Sequence, residues 1–175
     1  MSNTPLVGIL MGSDSDWNVM QAAAVVLRQF DVPFEMMVSS AHRTPERTHH
    51  YAATAAQRGL QVIIAGAGAA AHLAGVVAAT TPLPVIGVPL SATGLQGLDA
   101  LLATVQMPGG IPVATMAIGE AGARNAALFA VRMLAVHDAV LAQKLADFQQ
   151  NMATEVQGKD AKLQERLQAF LNNAG

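Results

Sequence analysis

The sequence predicts an α/β protein, a three-layer sandwich in which a mainly parallel five-stranded sheet lies between helices and an extended helical tail follows at the C-terminus. Three observations carry this. Five short apolar runs alternate with segments of helical periodicity, the order that a parallel sheet with crossover helices requires. The run Val62, Ile63, Ile64 is β-branched and unbroken by polar residues, as in a strand covered on both faces. Polar or glycine-rich loops follow the first three runs, and right-handed crossovers gather such loops at one edge of the sheet.

Residues 6–11 are the first strand, stopped by Gly12-Ser13-Asp14-Ser15-Asp16. A helix then begins near Ser15 or Asp16, whose side chains can cap free N–H groups; its apolar positions Met20, Ala23, Ala24 and Leu27 recur at helical spacing. The second unit repeats the arrangement, with a strand over 34–38, a polar loop over 39–45 and a helix over 45–58 that accepts Pro45 and Glu46 in its first turn. Gly59 ends that helix. The central strand opens at Gln61 and reaches Gly66 and Gly68, which allow tight turning and close approach of a ligand to the backbone. A small-residue helix follows to about Thr80, and N–H groups at its start could face a carboxylate. A plain strand-to-helix turn with small residues chosen for packing fits this stretch equally well. The fourth strand covers 83–88, with Pro89 marking the end of its ladder. The loop over 91–97 leads to a short helix over 98–105, and Met107-Pro108-Gly109-Gly110 breaks the chain before the last strand at 112–116.

From Glu120 onward the pattern is helical. Ala127, Val131, Leu134, Val140 or Leu141, Leu145, Phe148 and Met152 approximate an apolar stripe longer than one domain needs. Gly158 offers a break, and a short amphipathic helix restarts over 162–171. The expected organisation is one α/β domain over residues 1–157, including the long helix, and a C-terminal helical extension over 158–175 that packs on a neighbouring subunit.

Composition narrows the function. A hydrophobic fraction of 52% with only 13% charged residues leaves too little charge for a wholly solvated surface, which points to oligomer interfaces as well as a core. The net charge of −2 exerts no long-range pull on nucleic acid or an anionic membrane, so any phosphate must be held by local contacts. With no cysteine, disulfides, thiol catalysis and cysteine metal sites are excluded. The N-terminus lacks a basic region followed by an apolar run, and no stretch reaches about 18 apolar residues, so a cytoplasmic setting without membrane contact is expected.

Chemistry concentrates in three loops. Ser13, Asp14, Ser15 and Asp16 suit a helix cap; they also suit a phosphate held by a serine hydroxyl and backbone N–H groups, with Asp16 accepting from ribose hydroxyls. Arg43 can pair with phosphate through two parallel hydrogen bonds, and Ser40 adds a donor. His42 lies between them and is the acid–base candidate, a plain surface histidine being the competing reading. His72 is either a second pocket donor or a satisfied interior histidine, because its loop is poor in polar groups. His49 and His50 fall within a helix and read as solvated or packing residues. No dinucleotide fingerprint, Walker lysine, nucleophile elbow or H-E-x-x-H arrangement is present, and no coherent metal site emerges. Two histidines, an arginine and hydroxyls suit proton movement on a small phosphorylated substrate better than redox chemistry.

Four motifs are more than generic: M-G-S-D-S-D-W over 11–17, S-A-H-R-T-P over 40–45, G-A-G-A-A-A-H-L-A-G over 66–75 and V-Q-M-P-G-G-I-P-V-A-T over 105–115. In order and spacing they resemble the catalytic subunit of phosphoribosylaminoimidazole carboxylase, and more narrowly its bacterial N5-carboxyaminoimidazole ribonucleotide mutase form. The resemblance covers residues 6–138, and A-I-G-E-A-G-A-R-N-A-A over 117–127 strengthens it. It implies a flavodoxin-like sheet and the conversion of N5-carboxyaminoimidazole ribonucleotide to 4-carboxyaminoimidazole ribonucleotide in purine biosynthesis, with no cofactor and no metal. It further implies that Ser13 and Arg43 bind the phosphate, that Asp16 binds ribose and that Ser40 shares the pocket. By the same resemblance His42 transfers protons, while Ala67, Gly68 and His72 surround the migrating carboxylate or carbon dioxide. A homo-octamer with C-terminal helices reaching across subunits is implied too, and the ATP-dependent synthetase that makes the substrate becomes a candidate transient partner.

Two departures mark this chain. The family loop commonly reads G-A-G-G-A-A-H-L-P-G, whereas Ala69 and Ala74 stand here at the second adjacent glycine and the proline. Ala69 is harmless at negative φ and costs about 1 kcal/mol at positive φ. The related form that carboxylates aminoimidazole ribonucleotide directly tends to have lysine at residue 43, so Arg43 favours the mutase. That direct carboxylation is the enzymatic alternative; a noncatalytic nucleotide-binding module is the other.

Overall fold

Five apolar runs become five strands: β1 (Val7–Met11), β2 (Phe34–Val38), β3 (Val62–Gly68), β4 (Val85–Leu90) and the two-residue β5 (Ala114–Thr115). In the computed structural model, which describes residues 4–173, they form one parallel sheet in the order β2-β1-β3-β4-β5. The helices are α1 (Trp17–Gln29), α2 (Pro45–Thr54), α3 (Leu73–Ala78), α4 (Leu98–Val105), α5 (Glu120–Ala135) and α6 (Ala139–Asn173). This is the flavodoxin-like α/β arrangement expected. Strand order reverses direction at the β1/β3 junction, so the loops after these two strands diverge and open a crevice at the carboxyl edge of the sheet.

The register shows which residues share each face. Val7 pairs with Val62 and Ile9 with Ile64, while Leu10 pairs with Ala65 and Ile63 with Val85. Leu10, Ile63, Ala65 and Val85 join Tyr51 and Ala52 of α2 and Leu73 and Val77 of α3 in one core cluster. On the opposite face, Met20 of α1 lies against Gly66. Both faces are therefore covered, which explains why the central strands carry no polar alternation. Arg58, just beyond α2, ties that helix to β2: its guanidinium sits 4.5 Å from the Tyr51 ring centroid and pairs with Glu35 at 2.6 Å.

Four local expectations need correction. β3 does not turn at its glycines. It runs straight through Gly66 and Gly68, which pair with Val88 and Leu90. Their smallness serves close packing: a Cβ on Gly66 would collide with the Met20 sulfur, and one on Gly68 would stand 2.5 Å from the Ala92 Cβ. Pro89 likewise does not end β4, which continues to Leu90. The Pro89 carbonyl accepts from Gly119 N at 2.9 Å, so that edge of the residue faces away from β3, and β5 pairs only with Ile86 and Gly87. Its missing N–H therefore removes no ladder bond.

At the first loop, Ser13 rather than Ser15 or Asp16 is the cap. It opens a single 3-10 turn, Asp14–Asp16, by accepting from Ser15 N, while Asp16 reaches back to accept from Ser13 N at 2.9 Å. In the tail, the chain breaks before Asp138, not at Gly158. The Asp138 carboxylate accepts from the N–H groups of Val140 and Leu141 at 2.9 and 3.0 Å and so starts α6, which passes unbroken through Gly158. One interior glycine costs only about 1 kcal/mol, too little to interrupt a helix already propagating on both sides.

The chain falls into two compact units, one ending at Leu134 and one beginning at Ala135. The second consists of α6 with the short approach to it. Along α6, Val140, Met152, Val156, Leu163, Leu167, Phe170 and Leu171 are all exposed. In the first unit, Leu98, Leu102 and Val105 form an exposed apolar face on α4. No helix among the described residues is long and apolar enough to cross a membrane.

Candidate active site

The loops after β1, β2, β3 and β4 meet around one cavity of about 340 Å³ at the carboxyl edge of the sheet. Gly12, Ser13, Ser15 and Asp16 line it from the first loop, Ser40, Ala41, His42 and Arg43 from the second, and Ala67 and Gly68 at the end of β3, Ala69 and Ala70 after it and Leu73 of α3 from the third. Ala92 adds a fourth loop that the sequence reading left out. Its signal was available, since it follows the strand next to β3, but alanine carries no chemistry to draw attention. Of the residues singled out in sequence, Ser13, Asp16, Ser40, His42, Arg43, Ala67 and Gly68 line this cavity, and His72 touches it through His42.

Arg43 bridges two loops. Its Nη2 donates to the Gly12 carbonyl at 2.9 Å and its Nε to Ser40 Oγ at 3.4 Å, while its backbone N donates to the same oxygen at 3.2 Å. The guanidinium is thus anchored at the rim of the first loop with donors left over for an anion. Ser13 Oγ accepts from Ser15 Oγ at 3.0 Å and donates to Asp14 Oδ1 at 3.1 Å. Asp14 itself does not line the cavity, so of the two acidic residues in the loop only Asp16 faces it. Half-burial pushes the Asp16 carboxyl up from its ordinary value, and N–H groups of Ser13 and Gly12 and the Arg43 charge pull partly back.

That shift gives a signed pH prediction. With its folded-state value raised, wild-type stability declines as pH rises through the carboxylate range, because ionising Asp16 is harder in the folded chain than in the unfolded one. Asp16→Asn keeps an acceptor for Ser13 N and removes the charge. Its melting temperature should exceed that of wild type above about pH 5 and match it below about pH 3. Thermal melts of the ligand-free protein from pH 3 to 7 check this; a difference that shrinks with rising pH contradicts it.

His42 and His72 share a hydrogen bond, Nε2 to Nδ1 at 2.8 Å, with ring centroids 4.9 Å apart and planes at 86°. One nitrogen donates and the other accepts, so a single proton lies between the rings. His72 is exposed and is not the interior histidine that the apolar loop suggested. It precedes α3, whose first turn receives no side-chain cap from it. Its Nδ1 is committed to His42 instead, which restrains the orientation of that imidazole. Among the described residues, no three His, Cys, Asp or Glu side chains gather as a metal-binding group.

The sharp turn of the third loop falls on Ala69, at φ +52°. A left-handed conformation brings Cβ against the neighbouring carbonyl, a strain of order 1 kcal/mol that glycine does not carry. Ala69→Gly should therefore stabilise the chain by no more than about 0.5 kcal/mol after the extra flexibility of unfolded glycine is deducted. Urea denaturation measures it, and a loss of stability would show that the Cβ does more good than harm.

Residues 6–155 match the family model described as AIR carboxylase. An N5-carboxyaminoimidazole ribonucleotide mutase of Synechocystis is 60% identical over 166 residues, covering 95% of this chain and 93% of that protein. A mutase of the same name from Mycobacterium tuberculosis is 59% identical over 160 residues, 91% of each chain. The crystal structure of Treponema denticola PurE superposes with a TM-score of 0.81 at 29% identity, covering 91% of this chain and 98% of that one. With three of the matching motifs lining one cavity and the family model spanning most of its length, this chain belongs to the AIR carboxylase family.

Proposed function

We propose that this chain is the mutase that converts N5-carboxyaminoimidazole ribonucleotide to 4-carboxyaminoimidazole ribonucleotide. The observation that carries the reading is the meeting of a phosphate-competent group, a ribose acceptor and an imidazole pair at one cavity. Arg43 and Ser13 take the phosphate, Ser40 adds a donor, and Asp16 accepts from the ribose hydroxyls. This orientation sets the aminoimidazole ring against His42 and the Ala67–Gly68 segment.

The reaction is an isomerisation, so every atom must be returned. The N5–carboxylate bond breaks, carbon dioxide departs, and N5 takes up a proton. C4 of the ring then attacks the retained carbon dioxide, and His42 removes the C4 proton to restore aromaticity. One proton is gained and one lost. Holding both fragments in a small apolar-walled cavity turns a bimolecular recapture into a local one, which contributes several kcal/mol. The walls of Ala67, Ala69, Ala70 and Ala92 suit carbon dioxide, which has no charge to satisfy. No step draws on a cofactor.

We further propose a homo-octamer in the cytoplasm, in which α6 covers neighbouring subunits. Its support is the exposed apolar series on α6 and the exposed apolar face of α4, side chains that a subunit contact would cover. The ATP-dependent synthetase that supplies the unstable substrate is the natural transient partner. The reaction is tested by supplying N5-carboxyaminoimidazole ribonucleotide without ATP and following a labelled carboxyl group to C4. Transfer with little exchange into bicarbonate supports the mutase. Activity that needs high bicarbonate and persists with aminoimidazole ribonucleotide alone identifies direct carboxylation instead.

A further inference from the structure

Beneath the loop that carries His42 and Arg43 lies a pair of hydroxyls that play no part in binding or chemistry. Ser39 Oγ and Thr48 Oγ1 are 2.8 Å apart, and the two residues are 1% and 0% exposed. Ser39 sits where β2 ends, its N–H donating to the Met11 carbonyl of β1 at 2.7 Å; Thr48 sits in the first turn of α2. The pair thus joins the two feet of the loop over 39–48.

The direction of the hydrogen bonds can be worked out. Either hydroxyl can donate across the pair, but Thr48 Oγ1 also reaches the Thr44 carbonyl at 3.2 Å, and only with Ser39 as the donor between the hydroxyls are both buried protons bonded. The chain runs from Ser39 to Thr48 to Thr44. Thr44 then locks onto Ser40: its N–H and its Oγ1 both donate to the Ser40 carbonyl, at 2.9 and 3.0 Å, and its Oγ1 accepts from Ser40 N at 3.0 Å. Ser40 Oγ in turn accepts from Arg43 N. Ser40, Arg43 and Thr44, around His42, are therefore tied to a network that starts at a buried hydroxyl.

We infer that Ser39 and Thr48 are positioning residues, a buried buckle that holds His42 and Arg43 at the cavity. This rests on the mutase reading for its assay. The two partners are not equivalent. Removing the acceptor, in Thr48→Val, strands the Ser39 proton in an apolar interior, and the loop must shift to find it a partner. Removing the donor, in Ser39→Ala, strands nothing, because Thr48 keeps its bond to the Thr44 carbonyl; the loop only loosens.

The experiment measures kcat and KM of fully folded variants well below their melting temperatures. Thr48→Val should lose about tenfold in kcat/KM, spread over kcat through His42 and KM through Arg43, and Thr48→Ser should retain wild-type values. Ser39→Ala should lose about threefold, and adding it to Thr48→Val should bring the double variant back to the level of Ser39→Ala alone. A Thr48→Val protein that is less stable but kinetically unchanged overturns the inference, as does a double variant whose losses simply multiply. Should Thr48→Val fail to fold, Ser39→Ala decides by itself: a threefold loss supports the buckle and an unchanged kcat/KM refutes it. Turnover by wild type in the same assay separates failure of this inference from failure of the reaction assignment.

Discussion

Replacement of His42 by asparagine is expected to lower turnover by about 10³-fold while nucleotide affinity stays within about threefold of wild type. The two numbers separate because the loop over 39–48 performs two tasks with adjacent residues. In the proposed function Arg43 and Ser40 hold the anionic end of the ligand, and their mutual hydrogen bonds involve no atom of the His42 side chain. Asparagine keeps a hydrogen-bonding group near His72 but cannot accept and release a proton near neutral pH. The step that suffers is loss of the C4 proton, after carbon dioxide has been recaptured. Single-turnover kinetics alongside equilibrium binding of aminoimidazole ribonucleotide check the split. Equal binding with unchanged turnover would remove His42 from the chemistry, and equal loss of both would mean that His42 holds the loop rather than moving a proton.

The hydrogen bond to His72 sharpens that expectation. In the ligand-free protein, His42 Nε2 faces His72 and only one proton fits between them. Protonating both nitrogens would set two N–H groups head to head, so a proton arriving at one ring favours the form in which the other accepts. In the proposed mechanism, the bond to His72 thus sets the orientation and tautomer of the His42 ring.

How much of this was legible in the sequence depended on whether the signal was local. β2 and α4 are found where periodicity and their flanking residues place them, at 34–38 and 98–105, because each is bounded by a clear change of pattern. The convergence of Ser13, Asp16, Ser40, His42 and Arg43 followed from strand order alone, since all lie at the ends of neighbouring parallel strands. Gly66 and Gly68 misled because glycine permits a turn without requiring one; what they answer to is Met20 and Ala92, contacts from distant parts of the chain. Pro89 misled for a similar reason, since its cost depends on whether a strand lies on its N–H side. The start of α6 was missed although its cue was local: Asp138 is an ordinary cap, hidden by apolar periodicity that runs on across it.

The second large effect concerns Arg43. With a net charge of −2 the chain has no field to draw in a phosphate, so capture falls on the few donors at the cavity. Arg43 is the only cation lining it among the described residues, and it stands opposite Asp16. Its removal does two things at once. A paired charge is lost from the phosphate, and the Asp16 carboxylate, whose rise is now held in check partly by Arg43, is left facing the anion. Arg43→Met should therefore raise KM by about 100-fold with kcat within about threefold, the pattern for a group that binds substrate and transition state alike. Arg43→Lys should fall between, because an ammonium cannot reach the Gly12 carbonyl and Ser40 Oγ together while still pairing with phosphate. Added salt should weaken binding by wild type and barely affect the methionine variant. Should Arg43→Met leave KM unchanged and abolish kcat instead, the guanidinium acts on the carboxylate being transferred, and the phosphate must lie at the other end of the cavity.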